Sequence, residues 1–317
     1  MHLLIPHASA LSPACAQTLS DLPLPNLSAL LARLDPLKRF GSDEYRLNPP
    51  HEQALADALG LSGEDGAVAW AARAAAADGI EVGDLSWGLL TPVHWQVGRE
   101  FVTLIDPARV ALDEAESRAL FERVRELFES EGFRVAWGAP LRWYVAHDSL
   151  DGLPCASIDR VIGRNVDLWL QTDTHRFPQA RLIRRLQNEV QMLLYTDPLT
   201  DQREARGLLP VNSFWLSGCG RAQTADADAR AEPPLVDDRL RSPLLADDWE
   251  AWRLAWQALD AGPIADALAA SRRGETVTLT VCGERLARSL TSAPRSLWQR
   301  LQRHWQPVDA AQLLEAL

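Results

Sequence analysis

The sequence predicts an α/β protein: a mostly parallel sheet flanked by helices, with a smaller α+β domain set into it. Three observations lead there. The chain has 317 residues, 47% of them hydrophobic and 24% charged, enough apolar material for one large core or two domains. Strand-like and helix-like apolar patterns alternate at both ends, the arrangement that builds parallel sheets. Between them a β-β-α-β-β run reads as self-contained. The expected division is a discontinuous core, residues 1–84 with 176–317, and an inserted domain, residues 85–175.

Each element has its own justification. Residues 3–5 are a short buried strand, and a loop leads to a helix that Asn26 can cap, with Leu27, Leu30 and Leu31 on one face. Residues 38–50 are polar and end in two prolines, so they read as a loop. Residues 52–59, stopped by Gly60, and the alanine-rich 67–77 read as helices. Residues 87–95 and 101–105 read as strands. Asp113 opens a helix with Glu116 as capping-box partner, a Leu120, Val124, Phe128 stripe and Gly132 as its stop. Strands at 133–137 and 141–145 follow, then an amphipathic helix at 181–195 with Leu182, Leu186, Val190 and Leu193 on one side. Residues 211–216 read as a strand closing in a glycine turn, and 222–245 as a mobile surface loop. A helix at 249–259, a strand at 276–281 with alternating β-branched residues, and a last helix near 297–305 complete the pattern.

Composition excludes several classes. The formal net charge is -11, so the chain repels nucleic-acid phosphates. The strongest basic run, Arg181, Arg184 and Arg185, reads as a solvated helix face, and no nucleic-acid partner is expected. The four cysteines, Cys15, Cys155, Cys219 and Cys282, form no CxxC pair, and a chain that can bury its own core needs no disulfide scaffold. The apolar start is too short for a signal peptide, and nothing approaches the roughly 20 apolar residues of a membrane span. No membrane is expected as a partner, and the expected location is cytoplasmic. Among 12 tryptophans, Trp249, Trp252 and Trp256 share one helix face. Core packing is the favoured reading, a partner surface the sharper one.

One segment is more specific. Asp197-Pro198 is followed by Arg203, Gly207, Pro210, Asn212, a hydrophobic strand, and Ser217-Gly218-Cys219-Gly220. This spacing resembles the archaeal-type cofactor-independent phosphoglycerate mutases of the alkaline-phosphatase superfamily, which carry a His-Pro-x-Asn turn, an Arg, a Gly, a Pro-x-Asn, a strand and a Gly-x-Gly. Leu24-Pro25-Asn26-Leu27 and Cys282-Gly283-Glu284-Arg285 are similar to two further family segments, a Thr-Pro-Asn-Leu helix start and a Thr-Gly-Asp-His. The resemblance covers residues 1–60 and 180–317 and implies an alkaline-phosphatase-like core. Glycines at a strand end let backbone N–H groups approach an anion, and an arginine can pair with it. The ligand-binding residues so read are Arg203, Asn212, Ser217, Gly218, Gly220 and Arg221.

The departures from the family decide the functional expectation. The superfamily reaction needs two metal ions held by Asp and His and a phosphorylated nucleophile. Here the first strand runs into Pro6-His7, and the Asp-His pair has become Glu284-Arg285. Arginine cannot ligate a metal, because its guanidinium stays protonated. The seven histidines form no HxH, HxxH or HExxH cluster. No catalytic residue, metal site or cofactor is expected. The sequence also resembles the RpfE-type bacterial regulatory proteins, through its opening His-Leu-Leu-Ile-Pro and the 209–220 segment. These resemblances imply a regulatory or ligand-binding protein, a pseudoenzyme whose partner is a small phosphorylated or carboxylated metabolite or another protein. The alternative is an atypical mutase or phosphatase using Asp106, Asp159 and Glu284.

Overall fold

The structure is a computed structural model that describes residues 1–170, 173–223, 233–292 and 309–317. The chain divides into two compact units: Met1–Gly60 with Asp226–Leu317, and Leu61–Ala225. These boundaries replace the expected 84/85 and 175/176 breaks. The expected helix near 297–305 lies outside the described residues.

Unit 1 is built on a five-stranded sheet of β1 (His2–Ile5), β2 (Asp35–Gly41), β9 (Leu235–Val236), β10 (Thr278–Cys282) and β11 (Leu286–Thr291), in the order β2-β11-β10-β1-β9. β1 runs parallel to both β10 and β9, while β11 is antiparallel to β10 and to β2. The sheet is therefore mixed, not mostly parallel. β1 is buried on both faces, with Leu3, Leu4 and Ile5 all at 1% exposure or less, as a central parallel strand must be. Helices α1 (Pro13–Ser20), α2 (Pro25–Leu31), α10 (Trp249–Leu259) and α11 (Ala265–Arg273) belong to this unit, and Leu3, Ile5, Leu279 and Val281 share one apolar cluster with Leu27, Trp252, Trp256 and Leu268. Leu4, Cys282 and Ala287 face the other way, toward Ala54 of α3 (Pro50–Ala58).

Three corrections arise in unit 1. Residues 35–41, read partly as loop, form β2. Asn26 is not the cap of α2; Asp260 caps it from another part of the chain, accepting from Leu27 N at 2.7 Å and Asn26 N at 3.1 Å. Within the expected 222–245 loop, the described residues include β9 and α9 (Arg241–Leu245). The tryptophan face of α10 is core: Trp252 and Trp256 are fully buried, and Trp249, Trp252 and Trp256 make two edge-to-face contacts at 6.0 and 6.1 Å.

Unit 2 carries an antiparallel sheet of β3 (Ser86–Val93), β6 (Arg134–Ala139), β7 (Arg142–Ala146) and β8 (Ser213–Arg221), in the order β6-β7-β3-β8, beside the hairpin β4 (Trp95–Val97) and β5 (Val102–Leu104). One sheet face packs on the alanines of α4 (Trp70–Ala77), with Trp87 and Tyr144. The other meets α5 (Glu114–Ser130) and α7 (Ala180–Tyr195) through Phe121, Val124, Phe128, Leu186 and Val190. The short helices α6 (Ile158–Val161) and α8 (Pro198–Ala205) complete the unit. Asp113 caps α5 as expected, accepting from Glu116 N at 2.8 Å.

The largest correction concerns β8. It was expected in one sheet with residues 3–5 and 276–281; it lies instead in the antiparallel sheet of unit 2, paired with β3. A strand's own residues specify burial and alternation, and β8 satisfies both in either sheet.

Candidate functional site

The six residues read as ligand-binding all lie in unit 2, in or beside α8 and β8. Arg203 is 1% exposed. Its Nε donates to Leu209 O at 3.0 Å, and its two terminal nitrogens reach Glu116 and the Val110 carbonyl. Glu116 also holds Arg206, so this carboxylate, expected only as a capping partner, is the hub joining α5 to α8. Asn212 ties the start of β8 to β4, accepting from Trp95 N at 2.7 Å and donating to Trp95 O at 2.9 Å. Arg221 is exposed and paired with Asp148 at 2.9 Å and Asp151 at 3.2 Å.

The glycine turn is not a turn. Strand β8 continues through Ser217, Gly218, Cys219 and Gly220 to Arg221. Opposite them Leu89 pairs with Ser217 and Trp87 with Gly220, so Gly88 alone faces two residues of β8, a β-bulge. Gly218 sits there at φ +64, the left-handed conformation in which a side chain is strained. A Cβ at Gly218 would stand 2.9 Å from Ala71 N, and one at Gly220 2.9 Å from the Ala69 Cβ. The glycine face is filled by the start of α4, which is why glycine is needed there and why no anion cradle is formed by these amides.

A different place in the chain gathers chemistry-bearing side chains: the C-terminal ends of the parallel strands in unit 1, where α/β sheets put ligands. After β1 the chain turns at His7, whose φ of 57° is unusual for a residue with a side chain. That turn is pinned on both sides, by Trp252 Nε1 donating to His7 O at 3.2 Å and by Ala8 N donating to Cys282 O at 2.8 Å. His51 enters from the first turn of α3. The two imidazole centroids are 4.9 Å apart with planes tilted by 46°, and each ring offers a nitrogen within 4.8 Å of the other's. Sequence reading missed this pair, since neither histidine lies in a short motif. The available signals were His7 two residues after a buried strand and His51 directly after a helix-opening proline.

The carboxylates at the same edge are engaged. Glu284, after β10, accepts from Leu11 N at 2.9 Å and so fastens the loop after β1. Asp237, after β9, is held by Arg239 through two contacts of 2.7 Å. The thiols of Cys15 and Cys282 are pushed up from their ordinary pKa by burial, so neither is a ready thiolate.

No protein-family model matches the chain, and no curated protein matches it. Several solved structures resemble it, two of them as follows. The cofactor-independent phosphoglycerate mutase from Thermoplasma acidophilum DSM 1728 is 13% identical, with 92% of this chain and 88% of that one covered at a TM-score of 0.37. The PH0037 protein from Pyrococcus horikoshii is 10% identical, with 92% and 86% covered at a TM-score of 0.44. At scores this low, neither likeness decides the chemistry of this chain. Among the described residues, no helix is long and apolar enough to cross a membrane.

Proposed function

We propose that the chain is a regulatory, ligand-binding protein of the RpfE type, on a mutase-like scaffold whose metal site is degenerate, and that its ligand edge carries His7 and His51. The observation that carries this reading is the employment of the edge carboxylates. Phosphoryl transfer in the resembled superfamily uses two metal ions held by several Asp and His side chains. Here Glu284 clamps a loop amide and Asp237 is tied to Arg239. Arg285 follows where a histidine is needed. That donor set does not fit a dinuclear centre. Two imidazoles at a strand-end edge suit hydrogen bonding to a small phosphorylated or carboxylated metabolite. The 197–220 segment gives this reading no anion partner, since β8 belongs to the antiparallel sheet of unit 2 and Arg203 is spent inside that unit.

One observation favours a second reading. The His7 and His51 nitrogens are close enough to share one transition-metal ion, which an atypical mutase or phosphatase would need. Metal analysis of purified protein, with calorimetric titration of phosphoglycerates into wild type, His7→Ala and His51→Ala, separates the two. Metabolite binding that is lost in both variants, without turnover, is the expected result. Mutase or phosphatase turnover that needs bound metal and His51 replaces it with the enzyme. Absence of any phosphoglycerate or carboxylate binding removes the ligand reading.

A further inference from the structure

The bulge in β8 has a stereochemical effect on the residue between its glycines. Side chains of a strand alternate faces, and one extra residue reverses the alternation beyond it. Phe214 and Leu216 point into the cluster shared with α5 and α7. Regular alternation would send Cys219 to the opposite face, toward α4. With Gly218 as the extra residue, Cys219 returns to the side of Phe214 and Leu216, where it is fully buried. There its Sγ stands 3.8 Å from the Sγ of Cys155. Cys155 comes from the segment after Leu153 and is held by Cys155 N donating to Gly66 O at 2.9 Å. Two free thiols in van der Waals contact are unlike the other two cysteines, each of which is buried with no cysteine partner among the described residues.

We propose that Cys155 and Cys219 form an oxidisable dithiol, a modification site for a small hydroperoxide, built by the Gly-Cys-Gly bulge. Cys155 is the sulfur that meets the oxidant. It is partly exposed and lines a cavity of about 40 Å³ with Leu153, Ala156, Trp169, Trp215 and Leu216, room enough for a molecule little larger than water. Cys219 is the resolving partner. Its hydrogen bond with Cys155, together with full burial, holds its thiol well above the ordinary cysteine pKa, so it keeps its proton.

The chemistry balances in two steps. Cys155, having released its proton to solvent, attacks one peroxide oxygen; an S–O bond forms, the O–O bond breaks, and the alkoxide or hydroxide leaves and takes up a proton. Cys155 is then a sulfenic acid. The Cys219 sulfur attacks the Cys155 sulfur, the S–S bond forms, the S–O bond breaks, and hydroxide leaves with the Cys219 proton as water. Two thiols are oxidised by two electrons, and the hydroperoxide is reduced to an alcohol and water. Each sulfur must move by only about 1 Å to reach bonding distance. The product ties β8 to the 153–156 segment, next to Trp215, whose Nε1 donates to Ala156 O at 2.8 Å.

The test uses the full chain, treated with excess hydrogen peroxide, unfolded, alkylated and weighed. Wild type should lose two of its four alkylatable cysteines, and peptide mapping should find Cys155 joined to Cys219. Cys219→Ser should leave Cys155 as a sulfenic acid that dimedone traps, while Cys155→Ser should slow the loss of thiols roughly tenfold or more. Cys15→Ser and Cys282→Ser should behave as wild type. Cys155 is partly exposed, so its variant keeps the test decisive even where Cys219→Ser unfolds. Four alkylatable thiols after peroxide, a cross-link to Cys15 or Cys282, or equal oxidation of Cys155→Ser and wild type would each overturn the proposal.

Discussion

Replacing Arg203 by alanine should destabilise unit 2 severely, although the sequence reads this arginine as a ligand-binding residue. The side chain is 1% exposed and spans three partners: the Leu209 carbonyl, the Val110 carbonyl and Glu116. Its loss leaves two carbonyls short of a donor and Glu116, itself only 11% exposed, with Arg206 alone. Breaking a buried, hydrogen-bonded ion pair typically costs about 3–5 kcal/mol. For a unit of this size that corresponds to a fall in melting temperature of roughly 10 °C. Arg221→Ala is the internal control. Its partners Asp148 and Asp151 are 70% and 54% exposed, and solvent-exposed pairs of that kind contribute little to stability. Scanning calorimetry of the full chain resolves the two variants, and the unit 2 transition is the one to follow. Arg203→Met, which keeps the volume without the charge, should fall between wild type and alanine. An Arg203→Ala transition within a degree of wild type would refute the claim that this ion pair anchors α5 to α8.

Three further outcomes are expected. Asp260→Ala removes the carboxylate at the start of α2 and should cost about 1–2 kcal/mol by urea unfolding, with Asp260→Asn recovering part of it; an unchanged midpoint in both would mean that the cap is idle. Gly218→Ala should destabilise by about 1–3 kcal/mol, because it combines a left-handed backbone with a contact at 2.9 Å on α4, and wild-type stability would contradict the bulge. Asp78 has its pKa lowered, first by hydrogen bonds from Arg142 and then by that from Tyr144, so its contribution is complete above the ordinary carboxylate range and fades as pH falls through its depressed value. Unfolding followed from pH 7 downward should therefore show a loss in wild type that Asp78→Asn lacks; parallel curves would exclude Asp78 as the source.

Long amphipathic stripes were legible in the sequence because they repeat. The Leu120, Val124, Phe128 row of α5 and the apolar face of α7 carry enough periods to outweigh local exceptions, and both helices lie within a residue or two of their expected limits. β2 was missed because Asp35–Gly41 presents mainly exposed side chains on an edge strand, so no apolar alternation marks it. The sheet to which β8 belongs is a long-range property that its own residues do not encode. The same holds for the cap on α2, whose donor and acceptor are 234 residues apart, and for His7 and His51, which meet only once β1 and α3 are placed. The glycine motif was read as an open anion site because sequence shows that a side chain is absent, not what fills the space; α4 fills it. Glu116 was recognised as part of a helix start, while its bond to Arg203 depends on how α5 and α8 pack.

The pairing of β1 with β10 has a consequence for how the chain is made. Leu3 lies in register with Leu279, so β1 cannot take its central place until the residues between the two strands have left the ribosome. At typical synthesis rates that delay is on the order of half a minute. Leu61–Ala225 is one continuous stretch and can close its antiparallel sheet during that interval. During that time β1 and the leucine-rich α2 remain unsheltered, apolar and free to pair with the wrong edge. β10, made long after β1, thus completes its pairing, and a ribosome stalled before Thr278 would hold a chain with unit 2 folded and unit 1 open.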